Sequence, residues 1–438
     1  MKPEELDDVE LRNTAAEAIK AGVAAADPYR CITSSISVQE GILTIDEDRY
    51  RLSDHGEIKV FGFGKASIKM AEAVNDIIEV DEGIIISNKK PDDVPENFRY
   101  FEGDHPLPSE RNVEATEEIL KSMKNNSEDT LSIVLISGGG SAMLCSPPTD
   151  VPIEDVRELN RILVGSGLSI DDINTVRKHV SRVKGGKLPS FMKGDILSLI
   201  ISDVVDNDIS SIASGPTCSD ADSFLDAFII LDENDLIEKI PSSIRDHINK
   251  GIMEKEEDTP ESMPDRSSNY LVGENLTALE GAKDHLKDIG FNSLILTSKN
   301  QGSAKEVIKP YLAVAEEAQT SGNPIPTPAA FLIGGEMTVK GEIPKGNKGG
   351  PNREFVLRCA LKIQDKKGIV VASADSDGID GRGKAGAVAD GTTISRGKED
   401  PNYVLKEHST EGFFDRIGDS IEFDSSTNVN DISVILVI

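Results

Sequence analysis

EIKVFGFGKASIKMAEAVNDII, residues 57–78, changes its periodicity halfway along. EIKVFGFG (57–64) is a short apolar run that ends in a glycine turn. Beyond it Met70, Val74 and Ile77 return at steps of four and three. The first half predicts a strand buried on both faces, the second an amphipathic helix packed back over it. The same unit recurs downstream. GIIISN (83–88) is a strand, NVEATEEILKSMK (112–124) a helix, SIVLISGGGSA (132–142) a strand running into a Gly-rich turn, and DILSLIISD (195–203) a strand ending in acid. Such alternation predicts a mainly parallel sheet with helices on both faces.

Outward from this core, residues 9–25 predict a helix. GIMEKEEDTPESMPDR (251–266) is charged, carries two prolines and has no periodicity, which suits a linker. Beyond it YLVGEN, SLILTS, AAFLIGGEMTV, GIVVASADSDG and ISVILVI predict a second set of strands. The expected architecture is α/β with two domains, 1–250 and 265–438, each a mainly parallel sheet flanked by helices. A chain of 438 residues exceeds what one core usually serves.

Lys and Arg number 47 against 77 Asp and Glu, a formal charge of −30. That field repels duplex phosphates and anionic lipid, so neither nucleic acid nor membrane is an expected partner. It suits the hydrated acidic surface of a protein in a salt-rich cytosol. Cys31, Cys145, Cys218 and Cys359 are too scattered for a zinc ribbon or a disulfide framework, which fits reduced thiols. No apolar run approaches membrane-spanning length and the first residues carry no signal core, so a cytoplasmic location is expected.

Several strand ends carry chemistry. Ser137, Gly138, Gly139, Gly140 and Ser141 follow a buried strand, where glycines let backbone N–H groups approach an anion. Lys65 opens a helix just after a strand, a position that favours an anionic neighbour. NTVRKHVSRVKGGKL (174–188) gathers cations in an acidic chain, and Arg177, Lys178, His179 and Lys184 suit a carboxylate or a phosphate. ISDVVDNDISSIASGPT (201–217) presents Asp203, Asp206 and Asp208; SADSDGIDG (373–381) presents Asp375, Asp377 and Asp380. Carboxylates among glycines at strand ends suit Mg²⁺. GGEMTVKGEIPKGNKGGPNREF (334–355) adds Glu336, Asn352, Arg353 and Glu354. No poised Cys, no Ser-His-Asp spacing and no metal-binding His pair accompanies them. Phosphoryl transfer needs positioning and charge neutralisation above all, and this inventory supplies both.

In order along the chain, GFGKAS, GDHPLP, SGGGSA, NTVRKHVSRVKGGKL, ISD…SIASGPT, and GGEMTV with GGPNREF and DGIDG…AGA resemble the glycerate 2-kinase family, which joins a kinase domain to a C-terminal MOFRL domain. The resemblance implies ATP-dependent phosphorylation of D-glycerate at its 2-hydroxyl with Mg²⁺, in a cleft between two domains. It implies Lys65, Asp203 and Arg353 as catalytic residues. Residues 137–141 with Asn174, Arg177, Lys178, His179, Lys184, Glu336, Asn352 and Glu354 would hold phosphate and substrate, and Asp208, Asp377 and Asp380 the metal. Three positions depart from the family pattern. Pro351 stands at the family's arginine, leaving Arg353 to supply the guanidinium; Asp206 replaces a glycine; Arg382-Gly383-Lys384 replaces Pro-Thr-Asp. GFGKAS beside a strand also admits an NAD-dependent hydroxypyruvate or tartrate-pathway oxidoreductase, although the third glycine of the dinucleotide fingerprint is missing. Pro351 admits an inactive nucleotide- or acid-binding relative.

Overall fold

A computed structural model describes residues 2–91, 93–341 and 344–438. Strands β1 (Ile36–Gln39), β2 (Ile42–Ile45) and β3 (Asp48–Arg51) make a small antiparallel meander. β4 (Glu57–Phe63), β5 (Glu82–Ser87), β6 (Phe98–Glu102), β7 (Thr130–Ile136), β8 (Asp195–Ile201) and β9 (Ser267–Gly273) form a six-stranded sheet in the order β6-β5-β4-β7-β8-β9. The pairs among β6, β5, β4, β7 and β8 are all parallel. Val60, Phe61, Ile84, Ile85, Val134, Leu135 and Leu199 are completely buried in it. Each such side chain contributes about 1.5–3 kcal/mol by leaving water.

The second sheet is β10 (Asn292–Ser303), β11 (Ala329–Thr338), β12 (Ile369–Asp375), β13 (Gly386–Ala389), β14 (Ser420–Ile421) and β15 (Asp431–Val437), ordered β10-β11-β15-β12-β13-β14. This corrects the expected mainly parallel sheet. Only β10 and β11 pair in parallel; β15 runs antiparallel between β11 and β12, and β13 and β14 are antiparallel too. An apolar run buried on both faces fixes a central place in a sheet but not a direction, and ISVILVI returns the chain through the middle.

The chain divides into two compact units, Pro28–Ser202 with Asn207–Val272, and the residues up to Asp27 with Asp203–Asp206 and Gly273–Ile438. The boundary at 250/265 therefore shifts. Segment 251–266 is no linker: the Asp220 N–H donates to the Pro260 carbonyl and the Thr259 hydroxyl to the Asp222 carbonyl, all inside the first unit. The helix Asp8–Ala25 belongs instead to the second unit. There Gly22 lets it lie close to the helix Asn275–Asp288, since a Cβ at Gly22 would stand 2.6 Å from the Ala278 carbonyl oxygen. Arg12, on that helix, is ion-paired with Asp390. Among the described residues no helix is long and apolar enough to cross a membrane.

Candidate active site

β4 and β7 are neighbours in register, Phe63 opposite Ile136, so their C-terminal turns meet at one edge of the first sheet. The turn after β4 spends its own donors. Gly64 N–H reaches the Ile86 carbonyl (3.1 Å), Lys65 N–H the Gly138 carbonyl (2.9 Å) and Ala66 N–H the Ser137 hydroxyl (3.1 Å). The turn after β7 does not. Ser137 and Gly140 N–H groups are bonded to the Phe63 and Ser137 carbonyls, while those of Gly138 and Gly139 take no part in the bonds that tie these turns together. Gly139 has φ +82°, in the left-handed region where a side chain is strained, and a Cβ there would lie 3.4 Å from the Lys65 Cγ. The Lys65 stem thus runs past two open amides. Adjacent N–H groups left out of these bonds, next to a lysine side chain, suit a phosphoryl group.

Behind this loop the structure is polar and tightly tied. Ser141 Oγ lies 2.9 Å from Ser214 Oγ, and the Ser214 hydroxyl donates to Asn174 Oδ1 at 3.2 Å. Ala213 and Ser214 hold φ of +51° and +61°, strain of the kind that gathers at functional loops. Asn174 and Ser141 were both anticipated; Ser214 was not.

The cations of 174–187 separate into different roles. Lys178 is buried against Asp220 at 3.0 Å, and His179 is fully buried with its ring nitrogens on the Thr175 carbonyl and Asp258. Lys184 donates to the carbonyls of Ser141 and Leu144 at 2.5 and 3.0 Å, gripping the short helix Gly140–Met143; burial pushes its pKa down to about 8. Lys178, His179 and Lys184 are therefore corrected from ligand-holding to supporting groups. Arg177 differs. Its Nε donates to Asn160 Oδ1 at 2.6 Å, and no carboxylate among the described residues pairs with it.

Residues expected from the second unit are corrected more strongly. Arg353 is completely buried, its Nε on Asp380, one terminal nitrogen on Glu411 and the other on the Asp380 and Arg382 carbonyls. Asp380 also accepts the backbone N–H groups of Asn352 and Arg353. Asn352 is buried between Asp380, Asp431 and Ser373, and Glu354 between Arg358 and His408. These side chains staple the glycine turn to the DGIDG loop. Glu336 stands exposed at the end of β11. Asp208 is exposed in the first unit, held low in pKa, against the effect of burial, by the Ser211 and Ser210 hydroxyls. Asp377 accepts the Ile379 N–H in the second. No three acidic, His or Cys side chains among the described residues are grouped to hold a metal. Asp203 packs with the second unit, where its carbonyl accepts from Asn430.

Two features were not among the expected site residues. His105, inside GDHPLP, places its ring within 3.1 Å of a Cβ built on Gly139, and burial together with the Lys65 charge lowers its pKa. In the second unit Asp375 and Asp431 lie directly opposite on β12 and β15. Burial pushes Asp431 up to about 8, and burial with the Asp431 and Asp377 charges raises Asp375. The signal for the pair was an acid at the end of one apolar run and another just before ISVILVI.

Two family models match: a domain of unknown function, DUF4147, over residues 14–249, and the MOFRL family over 329–431. A glycerate 2-kinase of Pyrococcus horikoshii is 35% identical over 98% of this chain and 98% of its own. A putative hydroxypyruvate reductase of Agrobacterium vitis is 34% identical over 98% and 95%. The crystal structure of a glycerate kinase from Thermotoga maritima superposes with a TM-score of 0.86 at 27% identity, covering 98% of this chain and 99% of that one. With its phosphate-type loop and both family regions in order, this chain belongs to the glycerate 2-kinase family.

Proposed function

We propose that the chain is a glycerate 2-kinase that takes its phosphoryl group from ATP. The observation that carries this reading is the pair of open amides at Gly138 and Gly139 beside Lys65, at the C-terminal edge of a parallel sheet. Phosphoryl transfer spreads negative charge over equatorial oxygens, and prearranged N–H donors with an ammonium lower its energy where it forms. Lys65 and the loop stabilise that charge. Asp203, two residues beyond β8, is our choice for accepting the proton of the attacking 2-hydroxyl. Mg²⁺ bound to the nucleotide would neutralise phosphate charge, and needs only one or two protein carboxylates, for which Asp208 is available in the first unit.

The oxidoreductase reading meets an obstacle in the turn after β4. A dinucleotide pyrophosphate requires free N–H groups there, and those of Gly64, Lys65 and Ala66 are all bonded within the protein. The test is direct. Purified protein is incubated with Mg-ATP and D-glycerate and the product is identified by phosphorus NMR. 2-Phosphoglycerate with ADP is the expected result; 3-phosphoglycerate, or NADH-dependent reduction of hydroxypyruvate instead, would overturn the assignment. A cytoplasmic setting and a salt-adapted surface belong to the same proposal and rest on the charge of −30.

A further inference from the structure

We infer that Arg177 is the group that recognises the carboxylate of the acceptor acid, in a small cavity on the flank of the glycine loop. The inference rests on the kinase reading above. The cavity is about 60 Å³ and is lined by Ser141, Asn160, Arg177 and Lys184 with apolar walls that include Pro106 and Leu159. At roughly 10–15 Å³ for each water-sized group, it takes the carboxylate end of a short acid and excludes a nucleotide.

Charge identifies the ligand. The lining holds two cations and no carboxylate, in a chain with 77 acidic residues. Of the two, Lys184 is already occupied by the Ser141 and Leu144 carbonyls. Arg177 is anchored only through Nε to Asn160, which fixes the guanidinium plane and leaves its two terminal nitrogens without an acid among the described residues. Burial destabilises that charge, and an incoming anion restores the balance. A planar fork matches a carboxylate through two parallel hydrogen bonds. The helix Ile170–His179 holds Arg177 rigidly, because Ile173, Val176 and Val180 are locked into a helical core with Leu159, Leu163 and Leu231. Ser141 lines this cavity and also ends the loop whose open amides receive the phosphoryl group, so the acid and phosphoryl ends of the acceptor have separate holders. A larger cavity of about 890 Å³ in the same unit is not a rival anion site. It carries Glu256, Glu257 and Asp258, and its Arg266 and Lys187 are spent on backbone carbonyls.

The experiment compares wild type, Arg177→Ala and Arg177→Lys with two acceptors: D-glycerate, and glycerol, which lacks the carboxylate. Losing a charge-assisted pair is expected to raise KM for D-glycerate about 10²-fold in Arg177→Ala, with a smaller rise in Arg177→Lys, while KM for ATP and the melting temperature stay unchanged. The preference for glycerate over glycerol should fall by the same factor. Equal losses on both acceptors would show a structural role and overturn the inference. A rise in KM for ATP with none for glycerate would give the cavity to phosphate and overturn it as well. Calorimetric binding of D-glycerate without nucleotide, tight in wild type and lost in Arg177→Ala, keeps this test separate from the kinase assignment. Equal binding by both proteins would overturn the inference even if turnover is never seen.

Discussion

The turn after β7 and the turn before the helix Pro351–Ile363 look alike in sequence, each a glycine run leading into a helix, yet they are finished in opposite ways. SGGGS leaves the Gly138 and Gly139 amides open beside Lys65. GGPNRE closes on itself: the amides of Asn352 and Arg353 end on Asp380, and the Arg353 guanidinium is saturated by Asp380, Glu411 and two carbonyls. An open polar group offers binding energy to a ligand. A closed one offers it to the fold. Glycine runs mark both in the sequence, and only the accounting of donors against acceptors separates them.

The sharpest way to break this contrast is Arg353→Met. Removing one partner of a fully buried network strands Asp380 and Glu411, which should cost about 3–5 kcal/mol of stability, read as a large drop in the denaturation midpoint. An unchanged midpoint with lost turnover would return Arg353 to the catalytic role implied by the family. Lys65→Ala should do the converse, lowering kcat by roughly 10²–10³-fold with the melting temperature intact. Wild-type turnover in that variant would take Lys65 out of the site.

A milder probe is pH. The folded pKa of Asp431 is raised from 3.8 to about 8, so the fold holds the proton more tightly than the unfolded chain does. The resulting stabilisation is complete below about pH 4 and is lost as pH rises through about 8. Stability of the second unit should therefore decline across that window, and Asp431→Asn, neutral throughout, should flatten the decline. A profile in the variant as steep as in wild type would refute the linkage. The smallest effect expected is that of salt. Screening of −30 charges should raise the melting temperature gradually from low to molar KCl, and a flat or falling trend would separate the acidity from any salt adaptation.

The sequence by itself determined the β-α alternation, the parallel first sheet, the family and the loop at 137–141, because each is written in local periodicity or in contiguous motifs. It also offered Lys65 as a site residue, and Arg177 as one among several cations. It could not assign the helix Asp8–Ala25 to the far half of the chain, nor tell that β15 runs antiparallel through the second sheet. Amphipathic and apolar patterns specify burial without naming the surface buried against. It likewise could not sort Lys178, Lys184, Arg353 and Asp380 from the ligand-facing residues. A cation's role depends on whether an acceptor from elsewhere in the chain reaches it, and those acceptors, Asp220, Leu144 and Glu411, lie tens of residues away in sequence. Only the tertiary structure brings them together, leaving Arg177 as the cation of that stretch that is bonded to neither an acid nor a backbone carbonyl among the described residues.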